Sequence, residues 1–74
     1  MINDRLLPVS GREMVKAFSK IGFSVVRQNG SHIVMAREEE ILVIPDHDVV
    51  AKGTERDLIK DAGISVGEFN RLVK

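Results

Sequence analysis

The sequence predicts a small α+β domain in which helices and an antiparallel sheet form two layers. Two observations carry the prediction. Helix-start signals of the Ser-x-x-Glu type occur at Ser10 and Ser65, and three short apolar runs separated by turn residues lie between them. Strands joined by hairpins, with helices before and after, pack as one helical layer on one face of the sheet. We expect a single domain over residues 1–74.

The first element is a helix from about residue 11. In Ser10-x-x-Glu13, each side chain satisfies a backbone N–H at the start of the helix. Apolar residues then recur at intervals of three and four, namely Met14, Ala17, Phe18 and Ile21. Gly22 favours the left-handed turn that ends such a helix.

Three strands follow the first helix. Residues 23–28 are β-branched and aromatic, Asn29-Gly30 is a strong hairpin signal, and residues 31–37 return as the second strand. A further turn falls at residues 38–40, and residues 41–44 form an apolar third strand that ends before a proline. The sequence therefore predicts a three-stranded antiparallel sheet.

Two helices complete the chain. Thr54-x-x-Asp57 is a weaker start signal, with Thr54 as the N-cap, for a helix that buries Leu58, Ile59 and Ala62 and ends at Gly63. Ser65-x-x-Glu68 repeats the signal before a short third helix with Phe69, Leu72 and Val73. We expect the third helix to pack against the second.

The composition limits the compartment and the chemistry. There is no cysteine, which excludes disulfides and cysteine-based metal sites and is compatible with a reducing compartment. We find no signal-peptide pattern and no apolar run long enough to span a membrane. We therefore expect a cytoplasmic protein without a membrane segment.

Charge is unevenly distributed along a chain whose formal net charge is zero. Six basic residues precede position 38, against two acidic ones: Arg5, Arg12, Lys16, Lys20, Arg27 and Arg37 against Asp4 and Glu13. Residues 38–48 then hold five acidic residues and neither lysine nor arginine. Zero net charge argues against a polyanion partner, but this distribution predicts one basic surface and one acidic patch.

His32 is the candidate chemical group. Side chains alternate along the second strand, so if Ile33 and Met35 face the helices, His32 lies on the open face of the sheet. Histidine exchanges protons near cellular pH, as a general acid or base must. Ser31 and Arg27 add a hydroxyl and a phosphate-binding cation beside it. The alternative, that His32 is an ordinary polar residue on a solvated strand, stays open on this pattern alone.

Several ordered runs of the chain resemble one family. They are Gly22-Phe23, Arg27-Gln28-Asn29-Gly30-Ser31-His32, Ile44-Pro45-Asp46-His47, Lys52-Gly53-Thr54 and Ala62-Gly63-Ile64-Ser65. Together they resemble the HicA toxins of prokaryotic toxin–antitoxin pairs, from about Leu7 to Phe69. The resemblance implies a fold like a double-stranded-RNA-binding domain, a translation-inhibiting ribonuclease activity on mRNA, and a HicB antitoxin that covers the active face. The catalytic histidine of the family corresponds to His32. Members are usually basic, whereas this chain is neutral.

The expected chemistry needs neither a metal nor a cofactor. His32 takes the proton of a ribose 2′-hydroxyl, and His47, between two aspartates, is a candidate second group that the carboxylates would favour in its protonated form. The alternative that His47 is a plain turn residue is favoured by its place in a loop between two aspartates. Asp46-His47-Asp48 is a weak metal signal because adjacent residues rarely converge on one ion.

RNA contact is expected at two places. Arg27, Gly30 and Ser31 lie around His32, and Lys52-Gly53-Thr54 open the second helix, where free N–H groups favour a phosphate.

Two other classes of function remain open from the sequence. A noncatalytic RNA-binding module would need Arg27 and Lys52 but tolerate His32→Ala. A protein-interaction domain would dock its partner on the open face through Val34 and Ala36.

Overall fold

The computed structural model describes residues 5–74. Its elements in chain order are α1 (Gly11–Ser19), β1 (Ser24–Asn29), β2 (His32–Arg37), β3 (Glu40–Pro45), α2 (Lys52–Asp61) and α3 (Val66–Val73). The sheet is antiparallel with the order β1-β2-β3, and the helices contribute to one buried core with its inner face. The α+β, double-stranded-RNA-binding-domain-like arrangement predicted from the sequence is confirmed.

Both Ser-x-x-Glu signals form complete capping boxes. The Glu13 N–H donates to the Ser10 hydroxyl at 3.1 Å, and the Ser10 N–H donates to the Glu13 carboxylate at 2.9 Å. Ser65 and Glu68 make the same reciprocal pair at the start of α3. These helices begin where the sequence predicts because the signal is satisfied within four residues.

The start of α2 differs from the prediction. Its N-cap is Ala51, and Lys52 is its first residue, so Thr54 lies inside the first turn and does not cap the helix. The cause is tertiary: Val50 is buried, and its N–H donates to the Val9 carbonyl at 2.8 Å. This hydrogen bond and the burial of Val50 fix the residue at which α2 begins.

The first hairpin turns one residue later than predicted. Asn29 pairs with His32, so the two loop residues are Gly30 and Ser31. Gly30 has φ 56°, whereas Ser31 is not among the residues with positive φ. A left-handed residue at the first loop position is what a type II′ turn requires, and glycine adopts it without a steric penalty.

The core lies between the sheet and the helices. Inward residues of β2 and β3 pack against the apolar stripes of the helices: Ile33, Met35, Leu42, Ile44, Met14, Ala17, Phe18, Leu58, Ile59, Ala62 and Phe69. α3 contacts α2, as expected, but packs more extensively against α1. The rings of Phe18 and Phe69 lie 5.5 Å apart.

The acidic residues do not form the single patch predicted from the sequence. Antiparallel pairing places residues 38–40 at one end of the sheet and Asp46 at the other. Arg37 is structural: its guanidinium donates to Glu40 and to the Ile21 and Ala62 carbonyls. The expectation of a single acidic patch is therefore wrong, because neighbours in sequence are separated by the length of a strand.

Candidate active site at the turn end of the sheet

His32 occupies the end of the sheet that carries the Gly30–Ser31 turn. It is the first residue of β2, is exposed, and lies between Asn29 of β1 and Pro45 of β3. Ile33 and Met35 are buried on the opposite face. His32 thus projects from the open face, as predicted, on a strand that is anchored from both sides.

Arg27 shares this face with His32. Opposed residues of antiparallel strands point to the same side of the sheet. Arg27 is opposite Val34, which lies two residues from His32 and therefore on its face. Val26 is an extra residue in β1, where the register shifts between Val25 and Arg27, and such bulges redirect side chains near functional sites.

A polar network that sequence reasoning missed joins α1 to the same end of the sheet. Asp46 accepts hydrogen bonds from the Arg12 guanidinium at 3.3 and 3.4 Å and from the Gln28 amide at 3.3 Å. The Gln28 amide also donates to the Gly30 carbonyl at 3.2 Å, and the Asp46 N–H donates to the Ser31 carbonyl at 2.7 Å. This network holds the turn before His32.

His47 also lies at this end of the sheet, and its backbone, not its side chain, is hydrogen-bonded to the rest of the domain. It is exposed, and its carbonyl accepts the Gly11 N–H at 2.9 Å. The Asp46 carboxylate beside it is bound to Arg12 and Gln28. Within residues 5–74, neither the His32 nor the His47 imidazole forms a hydrogen bond, so both rings are free to meet a ligand.

The other predicted RNA contacts divide into two groups. Arg27, Gly30 and Ser31 are exposed around His32. Lys52, Gly53 and Thr54 are exposed in the first turn of α2, at the far end of the loop that begins beside His32. Because Ala51 offers no side-chain cap, the N–H groups of that turn are open to a ligand.

Glu55 is a buried acid that sequence reasoning missed. Its side chain is inaccessible to solvent, and neither carboxylate oxygen has a hydrogen-bond partner. Burial raises the pKa of Glu55, and the nearby charge of Lys52 acts in the opposite direction. Its position was visible in the sequence, because residue 55 falls on the helical stripe of Leu58, Ile59 and Ala62.

Residues 5–74 contain neither a metal-binding cluster nor a membrane-spanning helix. No three His, Cys, Asp or Glu side chains among residues 5–74 lie close enough together to hold a metal ion. No helix in that part of the chain has the length and apolar character needed to cross a membrane.

The open sheet face, with a histidine at its end and the helices behind it, defines a two-layer domain of the double-stranded-RNA-binding-domain-like class. A family model described as the HicA toxin of bacterial toxin–antitoxin systems matches residues 11–64. The match covers more than half of the chain, so the protein belongs to the HicA toxin family. It is the toxin of a toxin–antitoxin system, and its partner is an antitoxin. No curated protein matches the sequence significantly.

Proposed function

We propose that this toxin is a cytoplasmic endoribonuclease that cleaves mRNA and thereby inhibits translation. The observation that carries the proposal is His32, exposed at the end of the open face with Arg27 on the same face, in a chain of the HicA toxin family. A proton-transfer group beside a phosphate-binding cation is the minimum that phosphodiester cleavage requires.

In the proposed reaction, His32 removes the proton of a ribose 2′-hydroxyl. The 2′-oxygen then bonds to the adjacent phosphorus, and the bond from phosphorus to the 5′-oxygen breaks. The 5′-oxygen takes a proton from His47 or from water, which leaves a 2′,3′-cyclic phosphate and a 5′-hydroxyl. The chemistry needs no metal, and Arg27 neutralises the phosphate. One proton-transfer group contributes about 10² to 10⁴ in rate, so turnover is slow.

RNA is bound through its backbone and shape. Arg27, Gly30 and Ser31 contact the cleaved nucleotide, and the open first turn of α2 at residues 52–54 receives a phosphate. Base stacking on aromatic rings is not used, because Phe18, Phe23 and Phe69, the only aromatic residues of the chain, are buried.

The antitoxin, of the HicB type, covers the open face. Apolar side chains there are exposed although they lie in regular strands: Ile41 is 65% and Val43 48% exposed. Pairing places Val43 opposite Val34, two residues from His32. A partner that buries these residues also occludes the histidine, and its binding stabilises the toxin by mass action.

The test is cleavage of a synthetic RNA, with chelator present, by the wild-type chain and by His32→Ala. We expect the variant to lose cleavage by about 10² to 10⁴ and to keep its melting temperature, because His32 is exposed. An RNA with deoxyribose before the cleaved bond should resist both proteins. Arg27→Ala tests the proposed phosphate contact, and Arg56→Ala, which removes an exposed arginine on α2, is its matched control.

The outcomes separate three classes of protein. Cleavage that survives His32→Ala, or that persists at deoxyribose, contradicts the mechanism. RNA binding without cleavage by the wild-type chain would make the protein a binding module. The absence of both would leave a domain that acts only through its protein partner.

A further inference from the structure

A groove of about 470 Å³ runs between α1 and β1, and it borders the polar network of Arg12, Gln28 and Asp46 described above. Its floor is formed by Val15, Val25 and Ile33, and Arg12, Lys16 and Gln28 lie along it. This volume falls within the range of about 300 to 1,000 Å³ of small-ligand sites. β1 is an edge strand, so no further strand from residues 5–74 closes the groove.

The floor is apolar and unusually open for the inner side of a sheet. Val25 is opposite Met35, which is fully buried, and the two share the face that packs against the helices. Val25 nevertheless remains 49% exposed. The inner face is therefore only partly covered at β1, and the uncovered part is an apolar surface that a ligand can bury.

The rim of the groove attracts an anion. Arg12 and Lys16 are four residues apart in α1, so they lie on one side of the helix with an axial separation of about 6 Å. Arg12 remains 79% exposed despite its pairing with Asp46, and Lys16 forms no ion pair within residues 5–74. Glu13 also lines the groove, and its carboxylate accepts the Ser10 N–H in the capping box. The rim therefore holds two basic side chains against one acidic one.

The groove and the candidate active site share the Gly30–Ser31 turn. Gln28 lines the groove, and its amide donates to the Gly30 carbonyl and to Asp46, which also binds Arg12. The same Gly30–Ser31 turn precedes His32 on the other side of the sheet. A strand of nucleic acid at His32 that passes around this turn enters the groove at Gln28.

We propose that the groove binds a second nucleotide of the RNA strand that is cleaved at His32. The base lies on Val15, Val25 and Ile33, its polar edge meets the Gln28 amide, and the adjoining phosphates contact Arg12 and Lys16. The inference rests on the proposed ribonuclease function for the identity of the ligand. An apolar groove with a cationic rim fits a base joined to phosphates better than it fits an uncharged apolar peptide.

The experiment measures binding of a synthetic single-stranded RNA to the full chain carrying His32→Ala, which separates binding from cleavage. Lys16→Glu and Val25→Asp are added singly, with Lys60→Glu as the matched control on exposed α2. We expect each groove variant to weaken binding about tenfold, and Lys16→Glu to reduce the salt slope of log K by roughly one. Lys60→Glu should change neither the affinity nor the slope. Both groove positions are accessible, and melting curves identify any variant that is misfolded.

A direct readout uses the absence of cysteine from the chain. Val25→Cys in the His32→Ala chain carries one photoreactive group, which should crosslink to the RNA, whereas the same group at Lys60→Cys should not. Weakened binding with crosslinking at position 25 supports the groove even if the wild-type chain does not cut RNA.

Three results overturn the inference. If the wild-type chain cleaves RNA and the groove variants bind and cleave it equally well, the groove has no part in binding, and the proposed function stands. Groove variants that keep RNA affinity but lose affinity for the antitoxin would assign the groove to the protein partner. If the wild-type and His32→Ala chains bind no RNA, the groove and the proposed function fail together.

Discussion

The Arg12 guanidinium donates to both carboxylate oxygens of Asp46, through Nε at 3.3 Å and Nη2 at 3.4 Å. The pair joins the first turn of α1 to the end of β3 beside His32, across 34 positions of sequence. The Gln28 amide of β1 binds the same carboxylate. Three elements therefore converge on one acid at the turn end of the sheet.

The Arg12–Asp46 pair should add little to stability. Arg12 is 79% exposed, so a double-mutant cycle with Arg12→Ala and Asp46→Ala should give a coupling of about 0.2 to 1 kcal/mol that falls with salt. Urea unfolding of the four proteins measures it. Arg37→Ala is the contrast and should cost more, because the Arg37 guanidinium binds two backbone carbonyls and lies over the Phe23 ring. A coupling above about 2 kcal/mol would show that the Arg12 pair is shielded from solvent.

Replacement of Glu55 should stabilise the protein. The carboxylate is buried without a hydrogen-bond partner, so Glu55→Leu should raise the free energy of unfolding at pH 7 by about 1 to 3 kcal/mol. Glu39→Leu, in the exposed turn after β2, is the matched control and should have little effect.

The effect of Glu55 depends on pH with a defined sign. Burial raises its folded pKa above the ordinary value of 4.5. The raised pKa of Glu55 therefore adds to the free energy of unfolding of the wild-type chain at pH below the ordinary value. This contribution is lost as pH rises through the raised folded pKa. The stability gained through Glu55→Leu should therefore grow as pH rises over that window. Denaturant unfolding of both proteins at a series of pH values measures it. A difference independent of pH would contradict a raised pKa for Glu55.

Gly11 should be intolerant of a side chain. A Cβ at this position would overlap the carbonyl of Pro45, so Gly11→Ala should destabilise the protein by about 1 to 3 kcal/mol, as overpacking does. Gly53 also lies in the first turn of a helix, and nothing lies near its Cβ position. Gly53→Ala should stabilise the chain by about 0.5 to 1 kcal/mol. Melting curves compare the two, and similar shifts would indicate that α1 does not approach β3 closely.

Alanine substitution at the three candidate N-caps should lower stability at two of them and leave it nearly unchanged at the third. Ser10→Ala and Ser65→Ala each remove a capping hydrogen bond and should cost about 1 kcal/mol. Thr54→Ala should cost little, because Thr54 is an exposed residue inside the first turn of α2. Urea midpoints for the three variants measure the difference. An equal loss for Thr54→Ala would mean that α2 begins at residue 55, as the sequence alone suggested.

Much of the candidate site was predictable because it depends on strand alternation. Once Ile33 and Met35 are assigned to the core, His32 must face the other way, and the glycine at position 30 marks the turn beside it. Arg12, Gln28 and Asp46 carry no local signal that they meet, since their side chains come from three separate elements. The network around His32 could not be predicted for that reason.

Local signals are sufficient to predict the elements whose interactions close within a few residues. The capping boxes at Ser10 and Ser65 satisfy their own backbone groups locally, the alternation along β2 follows from strand geometry, and the left-handed glycine needs no distant contact. Contacts between the packed layers determine where α2 begins, which charges pair and how α3 divides its contacts between α1 and α2. They also leave the groove between β1 and α1. These features arise from the packing of distant segments, and the free energy that selects them comes from burial and hydrogen bonds made only after the layers meet.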